Sequence, residues 1–228
     1  LGDVYKRQDN IGDVSSGGNT PVVEGHMLNE YRYRSVYKGN GKYFNADGSV
    51  NPAGGPKGGM IRTEEDMNWV KAMMDAGYKF KPGNSIGKAN IYYGDYIYAD
   101  VNGDGVYGDS DDEEFQGRSK TPKYNFGFQA SAAWNGFDIS MVWAGAAGFD
   151  IYWGPTAGYN AAKTEWGNNI AQRIADDHYF YDPSNPDDPR TNINGKYPRM
   201  TYLDGNVQNN ASSNRWLYNG DYLSLIHI

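Results

Sequence analysis

The stretch "YNFGFQASAAWNGFDISMVWAG", Tyr124 to Gly145, decides the fold class. Tyr124, Phe126, Phe128, Ala130, Ala132 and Trp134 share one face of an extended chain, and Asn125, Gly127, Gln129, Ser131 and Ala133 share the other. Alternation with a period of two is the mark of a strand with one apolar and one polar side. After Asn135-Gly136 the pattern resumes, with Phe137, Ile139, Met141 and Trp143 against Asp138, Ser140, Val142 and Ala144. Asn-Gly between two alternating runs predicts a two-residue hairpin turn, because a type I′ turn needs two positive φ angles. Arms of about nine to eleven residues suit tilted strands that cross a bilayer. Aromatic residues stand at both ends of the apolar faces, as in the girdles of a membrane barrel. A hairpin of a soluble sandwich would carry the same alternation.

Around the hairpin the chain is polar. It has 228 residues, 30 glycines, 20 tyrosines, no cysteine and a net charge of −7, with a mean hydropathy of −0.77. No run approaches the roughly 18 apolar residues of a membrane helix. The lack of cysteine excludes a disulfide scaffold and thiolate metal sites. An acidic balance argues against a nucleic-acid partner, which requires a basic footprint. A Tyr- and Gly-rich polar chain suits a membrane barrel, whose alternate residues face lipid or lumen. Secreted all-β glycan binders share that composition.

Both termini read as foreign to the rest. Asp3 to Gln8 back-translates to GATGTGTATAAGAGACAG, and the reverse complement of that string encodes Leu223 to Ile228. The element resembles a transposon end used to tag DNA libraries. Residues 1–8 and 223–228 are therefore expected to be adapter-derived and are set aside, as processing segments should be. The expected protein body is 9–222, a fragment of a longer frame, and His227 is not offered as a ligand.

Within that body, "YRYRSVYKG" from Tyr31 alternates Tyr31, Tyr33, Ser35 and Tyr37 against Arg32, Arg34, Val36 and Lys38, another strand pattern. "IYYGDYIYA", Ile91 to Ala99, also reads as a strand. Residues 39–121 and 146–214 read as long loops, the hairpin as 124–145, and a further strand is expected from 215. Loops this long without structure of their own are uncommon in compact domains and are usually functional. Each is expected to hold a helix. "TEEDMNWVKAMMDAGY" has Thr63 as N-cap, Asp66 at N3, a stripe of Met67, Val70 and Met74, and Gly77 as stop. "NAAKTEWGNNIAQRIADDHYF" reads as a weaker helix interrupted by Gly167.

"DVNGDGVYGDSD" has the spacing of a calcium loop. Asp100, Asn102 and Asp104 fall at positions 1, 3 and 5, Gly105 at the sharp turn, the Val106 carbonyl at position 7 and Asp111 at position 12. Alternate side chains of a tight loop converge on one hard cation, which is why the chemistry needs this spacing. Gly108 at position 9 offers only water, and Asp111 is shorter than the usual Glu. The same residues also make a solvated acidic turn. Trp153 and Trp166 are candidate sugar-stacking residues, although an aromatic there equally packs a loop. His26 and His178 have no nucleophile partner or metal-ligand spacing, so no catalytic residue is assigned and no enzyme is expected.

These motifs together carry a family resemblance. Asp100 to Gly105 matches an aspartate-rich "D-x-N-G-D-G" loop; Gly117, Pro122, Lys123, Tyr124 and Gly127 match "G…P-K-Y…G". Gly136 to Ser140 matches "G-F-D-x-S", and Gly148 to Tyr152 matches "G…G-x-D-I-Y". In that order they resemble the late barrel region of SusC/RagA-type TonB-linked outer-membrane transporters. The upstream "VVEGHMLNEYRYRSVYKG" and the downstream "KYPRMTYLDGNVQNNASSNRWLYNGDYL" fit the family's flanks, with Met27 where proline is usual, whereas Lys42 to Lys81 fits poorly. The resemblance implies an all-β fold: a few strands of a 22-stranded transmembrane antiparallel barrel, with long extracellular loops carrying short helices. It implies a Gram-negative cell outer membrane, import of oligosaccharides or peptides, a SusD-like surface lipoprotein as partner, and TonB coupling through an N-terminal part this chain lacks. The expected cofactor is a structural Ca2+. The alternative is a secreted all-β glycan-binding module with a structural calcium loop.

Overall fold

The computed structural model describes residues 25–154, 170–200 and 208–227 of the chain. Residues 160–169 of the second expected helix, Trp166 and Gly167 among them, lie outside this range, as do residues 1–8. Strands outweigh helices among the described residues, and no barrel is closed. The strands are β1 (Glu30–Arg34), β2 (Lys79–Phe80), β3 (Val106–Tyr107), β4 (Glu113–Ser119), β5 (Tyr124–Trp134), β6 (Phe137–Ala147), β7 (Asp150–Tyr152), β8 (Leu217–Asn219) and β9 (Tyr222–His227). Two α-helices are described, α1 (Glu64–Asp75) and α2 (Gln172–Asp176). No described helix is long and apolar enough to cross a membrane. The chain divides into two compact units, and the division falls inside β1 and inside β4.

The first unit contains Phe115–Tyr152 and Leu217–Ile228 together with the residues up to Arg32. Its main sheet has the order β5-β6-β9, all antiparallel. The predicted hairpin is present. β5 and β6 pair from Tyr124↔Ala147 to Trp134↔Phe137, and the turn has Asn135 at φ 48° and Gly136 at φ 81°. Those two positive angles are what the right-handed twist of the flanking strands demands of a two-residue turn. The register places Phe128 opposite Trp143, their rings stacked at 4.2 Å. It also places Leu223 opposite Gly145 and Leu225 opposite Trp143.

Leu223 to His227, set aside in the sequence as adapter-derived, therefore form most of β9. Ladder bonds use backbone N–H and C=O groups, which any extended alternating segment supplies. The strand expected from 215 is divided: a 3-10 turn at Asn214–Trp216 precedes β8, which pairs with β7, and β9 follows.

The second unit contains Tyr33–Glu114 and Trp153–Trp216. The two segments read as separate long loops are thus largely one compact body with its own core. Helix α1 anchors it. Thr63 Oγ1 accepts from the Asp66 N–H at 3.2 Å, and Asp66 Oδ2 accepts from the Thr63 N–H at 2.9 Å, a complete capping box. The Tyr43 hydroxyl donates to Asp66 Oδ1 at 2.8 Å. The buried face of α1 carries Met67, Trp69, Val70 and Met73, and Met74 of the expected stripe is partly buried and packs against the same core. Trp69 is the largest side chain on that face. Its ring is fully buried, stacks on Tyr37 at 5.6 Å, meets Phe80 edge-on, and donates from Nε1 to the Asn51 carbonyl at 2.9 Å.

Ile91 to Ala99 does not form the expected strand. It makes only isolated bridges, Ile86↔Ile91, Met60↔Tyr96 and Val36↔Tyr98. Gly94 at φ 84° breaks the extended run, and a Cβ there would collide with the Tyr179 ring. The turn buries Asp95 completely. Its carboxylate accepts from Arg199 Nε at 2.7 Å and Nη2 at 2.9 Å, from Asn209 Nδ2 at 2.7 Å and from the Tyr92 N–H at 2.8 Å. Burial pushes this carboxyl up, and the Arg199 guanidinium pulls against it. Together with Tyr98, whose hydroxyl donates to the Gln208 carbonyl at 2.6 Å, this network stitches the two chain segments of the unit together.

Candidate functional site

The calcium-like loop is built from carboxylates folded back onto their own backbone. Asp100 accepts from Gly103 N–H at 2.7 Å and Gly105 N–H at 2.9 Å. Asn102 Oδ1 accepts from Asp104 N–H at 2.9 Å, and Asp104 Oδ1 from Val106 N–H at 2.8 Å. Such side chain to backbone bonds are how Asp and Asn shape turns. Val106 itself opens β3, which pairs in parallel with β2. Asp111 is exposed, and its N–H donates to Asp109 Oδ1 at 2.9 Å.

The residue that organises the loop is Asp112, which the sequence reading passed over. It is fully buried. Oδ1 accepts from the Val101 and Asn102 N–H groups at 2.6 and 3.4 Å, and Oδ2 from Gly108 and Asp109 at 2.7 and 3.3 Å. A carboxylate has about four lone-pair sites, and all four are used. Asp112 therefore has no capacity left for a cation, whereas Asp100, Asn102 and Asp104 each keep unused acceptor capacity. Among the described residues no group of three or more His, Cys, Asp or Glu side chains could hold a metal ion. A cation at this loop would have to draw on the Asn102 side chain and the Val106 carbonyl as well as on the acids. The only sequence sign of Asp112 was an acid following Asp111, and nothing local marked it as the buried member of the pair.

Trp153 is half-buried in the second unit, and the Arg173 guanidinium lies 3.8 Å from its ring centre. That contact already occupies one face of the ring. Trp166 lies outside the described residues. His178 donates from Nδ1 to the Ala175 carbonyl at 2.8 Å, and His26 stacks on Phe115 at 3.6 Å beside Glu30.

The most distinctive surface is the apolar face of the β5-β6-β9 sheet. Both faces of β5 are exposed along its whole length. Trp134 is 76% exposed, Phe137 74% and Tyr124 66%, and Phe126, Phe128, Ile139, Leu223 and Leu225 are exposed as well. The ladder puts all of these on one side. Asn125, Gln129, Ser131, Asp138 and Ser140 point to the other. A further feature unmarked in the sequence is a cavity of about 670 Å³ in the second unit, walled by Tyr92, Tyr93, Phe180 and Tyr181. No protein-family model matches the chain, and no curated protein sequence matches it significantly.

Proposed function

We propose that this chain is part of an outer-membrane TonB-dependent transporter of the SusC/RagA type, importing oligosaccharides or other nutrient oligomers with a SusD-like lipoprotein. The observation that carries the reading is the exposed apolar face of the β5-β6 hairpin. A monomer in water rarely exposes so many contiguous large apolar side chains. An eleven-residue strand is about 35 Å long and, tilted by about 45°, covers about 25 Å along the membrane normal, the height of a barrel's apolar band. Aromatic residues at both ends of the face match girdles at the two interfaces. The edge of β5 that is unpaired among the described residues is where a neighbouring barrel strand would add.

In this reading the Asn135-Gly136 turn is periplasmic, and the second unit with its acidic loop is extracellular. The role is transport without covalent chemistry. Calcium enters as a structural ion held by Asp100, Asn102, Asp104, the Val106 carbonyl and Asp111, reinforcing a loop that Asp112 has already closed. TonB coupling belongs to upstream sequence. The second reading, a secreted glycan-binding module with a structural calcium, draws on the independent core of the second unit.

The two are separated by refolding the chain from urea in detergent-free buffer and in short-chain phosphatidylcholine vesicles. The transporter reading expects aggregation in buffer and, in vesicles, a protease-protected fragment containing Tyr124 to Ala147. A monodisperse monomer in buffer that leaves the vesicles unoccupied would overturn it in favour of the module.

A further inference from the structure

Asparagine is followed directly by glycine at five places: Asn40-Gly41, Asn102-Gly103, Asn135-Gly136, Asn194-Gly195 and Asn219-Gly220. Each pair places a side-chain amide next to the backbone nitrogen of a residue that has no Cβ to shield it. That nitrogen can attack the asparagine Cγ and close a five-membered ring. Closure requires the glycine N–H to be free and the peptide between the two residues to turn.

Four of the pairs are held against this. Gly41 N–H donates to the Gly55 carbonyl at 3.0 Å, Gly220 N–H to the Phe149 carbonyl at 3.0 Å, and Gly195 N–H to the Asn192 carbonyl at 3.4 Å. Gly103 N–H donates to Asp100 Oδ1 at 2.7 Å. Three of the asparagine side chains are tied as well: Asn40, Asn102 and Asn219 each accept, through Oδ1, from the N–H two residues on, at 2.8, 2.9 and 2.8 Å. Gly195 and Gly220 are also buried, and a Cβ built on either would meet its neighbours at 2.5 Å.

Asn135-Gly136 differs on every count. Both residues are exposed at the tip of the β5-β6 hairpin, and nothing lies within 4 Å of a Cβ built on Gly136. Among the described residues, no hydrogen bond engages the Gly136 N–H or the Asn135 side chain. The strand ladder ends at Trp134↔Phe137, so the peptide joining 135 to 136 lies beyond the last paired residues.

We propose that Asn135 is a site of spontaneous deamidation, selected from the five pairs by the fold. The Gly136 nitrogen loses its proton and forms a bond to Asn135 Cγ; the Cγ–Nδ2 bond breaks, and ammonia leaves with that proton. Water then opens the cyclic imide at one of its two carbonyls, giving aspartate or isoaspartate and one added negative charge. Aspartate tolerates the left-handed conformation that Asn135 adopts at φ 48°. Isoaspartate instead routes the main chain through Cβ and adds a methylene to a two-residue turn whose length sets the strand register. The modification therefore acts on the hairpin as a slow, irreversible loosening of its tip. It goes beyond the transport reading and does not depend on it.

The full chain is incubated in mild detergent at mildly alkaline pH, in parallel with the chain unfolded in urea, and all five pairs are followed by peptide mass mapping and isoaspartyl methyltransferase labelling. In the folded chain Asn135 should deamidate at least about tenfold faster than each of the other four, which must first open their turns. In urea the five should react at similar rates. Asn135→Asp should remove the fast phase of ammonia release and leave the other four pairs slow. Amide hydrogen exchange next to the turn should rise in the isoaspartyl fraction and stay at the parent level in Asn135→Asp. Another pair leading in the folded chain, the same preference for Asn135 in urea, or a fast phase that survives Asn135→Asp would overturn the selection by the fold. Equal exchange in the isoaspartyl fraction and the parent would overturn the loosening.

Discussion

The two units of this chain treat their aromatic residues in opposite ways. In the second, Trp69, Phe80, Tyr98 and Tyr179 are withdrawn from solvent and their polar atoms find partners, as in the core of a water-soluble domain. In the first, Trp134, Phe137, Tyr124 and Phe128 stand on one open side of a sheet. The same side-chain chemistry requires a different solvent in each case. Burial of one large side chain contributes about 1.5–3 kcal/mol only where water is excluded. A sheet that displays many such side chains is built for a surrounding that excludes water for it. The proposed reading assigns that surrounding to lipid for the hairpin, while the second unit carries its own core.

The largest expected effect comes from exchanging the two environments by mutation. Trp69→Ala removes a fully buried ring and should destabilise the second unit by about 3–5 kcal/mol, read by urea unfolding in mild detergent. Trp134→Ala removes an equally large but exposed ring and should change the same transition by no more than about 0.5 kcal/mol. Equal losses would erase the distinction between the units.

Asp112 tests whether the acidic loop depends on a carboxylate. Asp112→Asn replaces one acceptor oxygen by an amide that can only donate, leaving buried N–H groups such as that of Gly108 unsatisfied. A loss of about 2–3 kcal/mol and faster proteolysis between Gly94 and Gly117 are expected. Asp111→Asn, at an exposed position, should cost about 0.5 kcal/mol or less without calcium. Calcium should raise the melting temperature of the parent chain, and Asp104→Ala should abolish that rise while leaving the calcium-free melting temperature nearly unchanged. No calcium-dependent shift in the parent chain would remove the ion from the account.

The tyrosines provide a pH test. Burial pushes Tyr37 up to about 12; Tyr43 rises to a similar value through burial and its bond to Asp66; burial raises Tyr98, Tyr107 and Tyr179 further. A folded-state value above the ordinary 10 means that folding favours the neutral phenol. The stability this contributes is complete below pH 10 and is lost as the pH rises through about 12. The near-UV signal of the second unit should therefore collapse across that window while the strand amide signal persists. Loss of both together would mean that the units are not separately stabilised.

The hairpin and the first helix were legible in the sequence because their determinants are local. Asn135-Gly136 sets its own turn, and Thr63 and Asp66 cap their own helix three residues apart. The compact second unit was not, because what joins its halves is a bond between residues 104 positions apart, Asp95 and Arg199. Nothing in "IYYGDYIYA" or "KYPRM" announces that pairing by itself. The same limit hid the tyrosine cleft, whose walls come from Tyr92 and Tyr93 on one segment and Phe180 and Tyr181 on another. The calcium spacing was legible, but the neighbouring acid that closes the loop was distinguishable only by its burial.

The central claim, that the apolar face of the hairpin meets lipid, is tested most directly by a nitroxide scan, which the absence of cysteine makes straightforward. Single cysteines from Asn125 to Ala133 are labelled in the vesicle-bound chain, and collision rates with oxygen and with a water-soluble nickel chelate are measured. Phe126, Phe128, Ala130 and Ala132 should report high oxygen and low nickel exposure, and Asn125, Gly127, Gln129, Ser131 and Ala133 the reverse, with a period of two along the strand. Uniform exposure to the nickel chelate, or no alternation at all, would contradict the account.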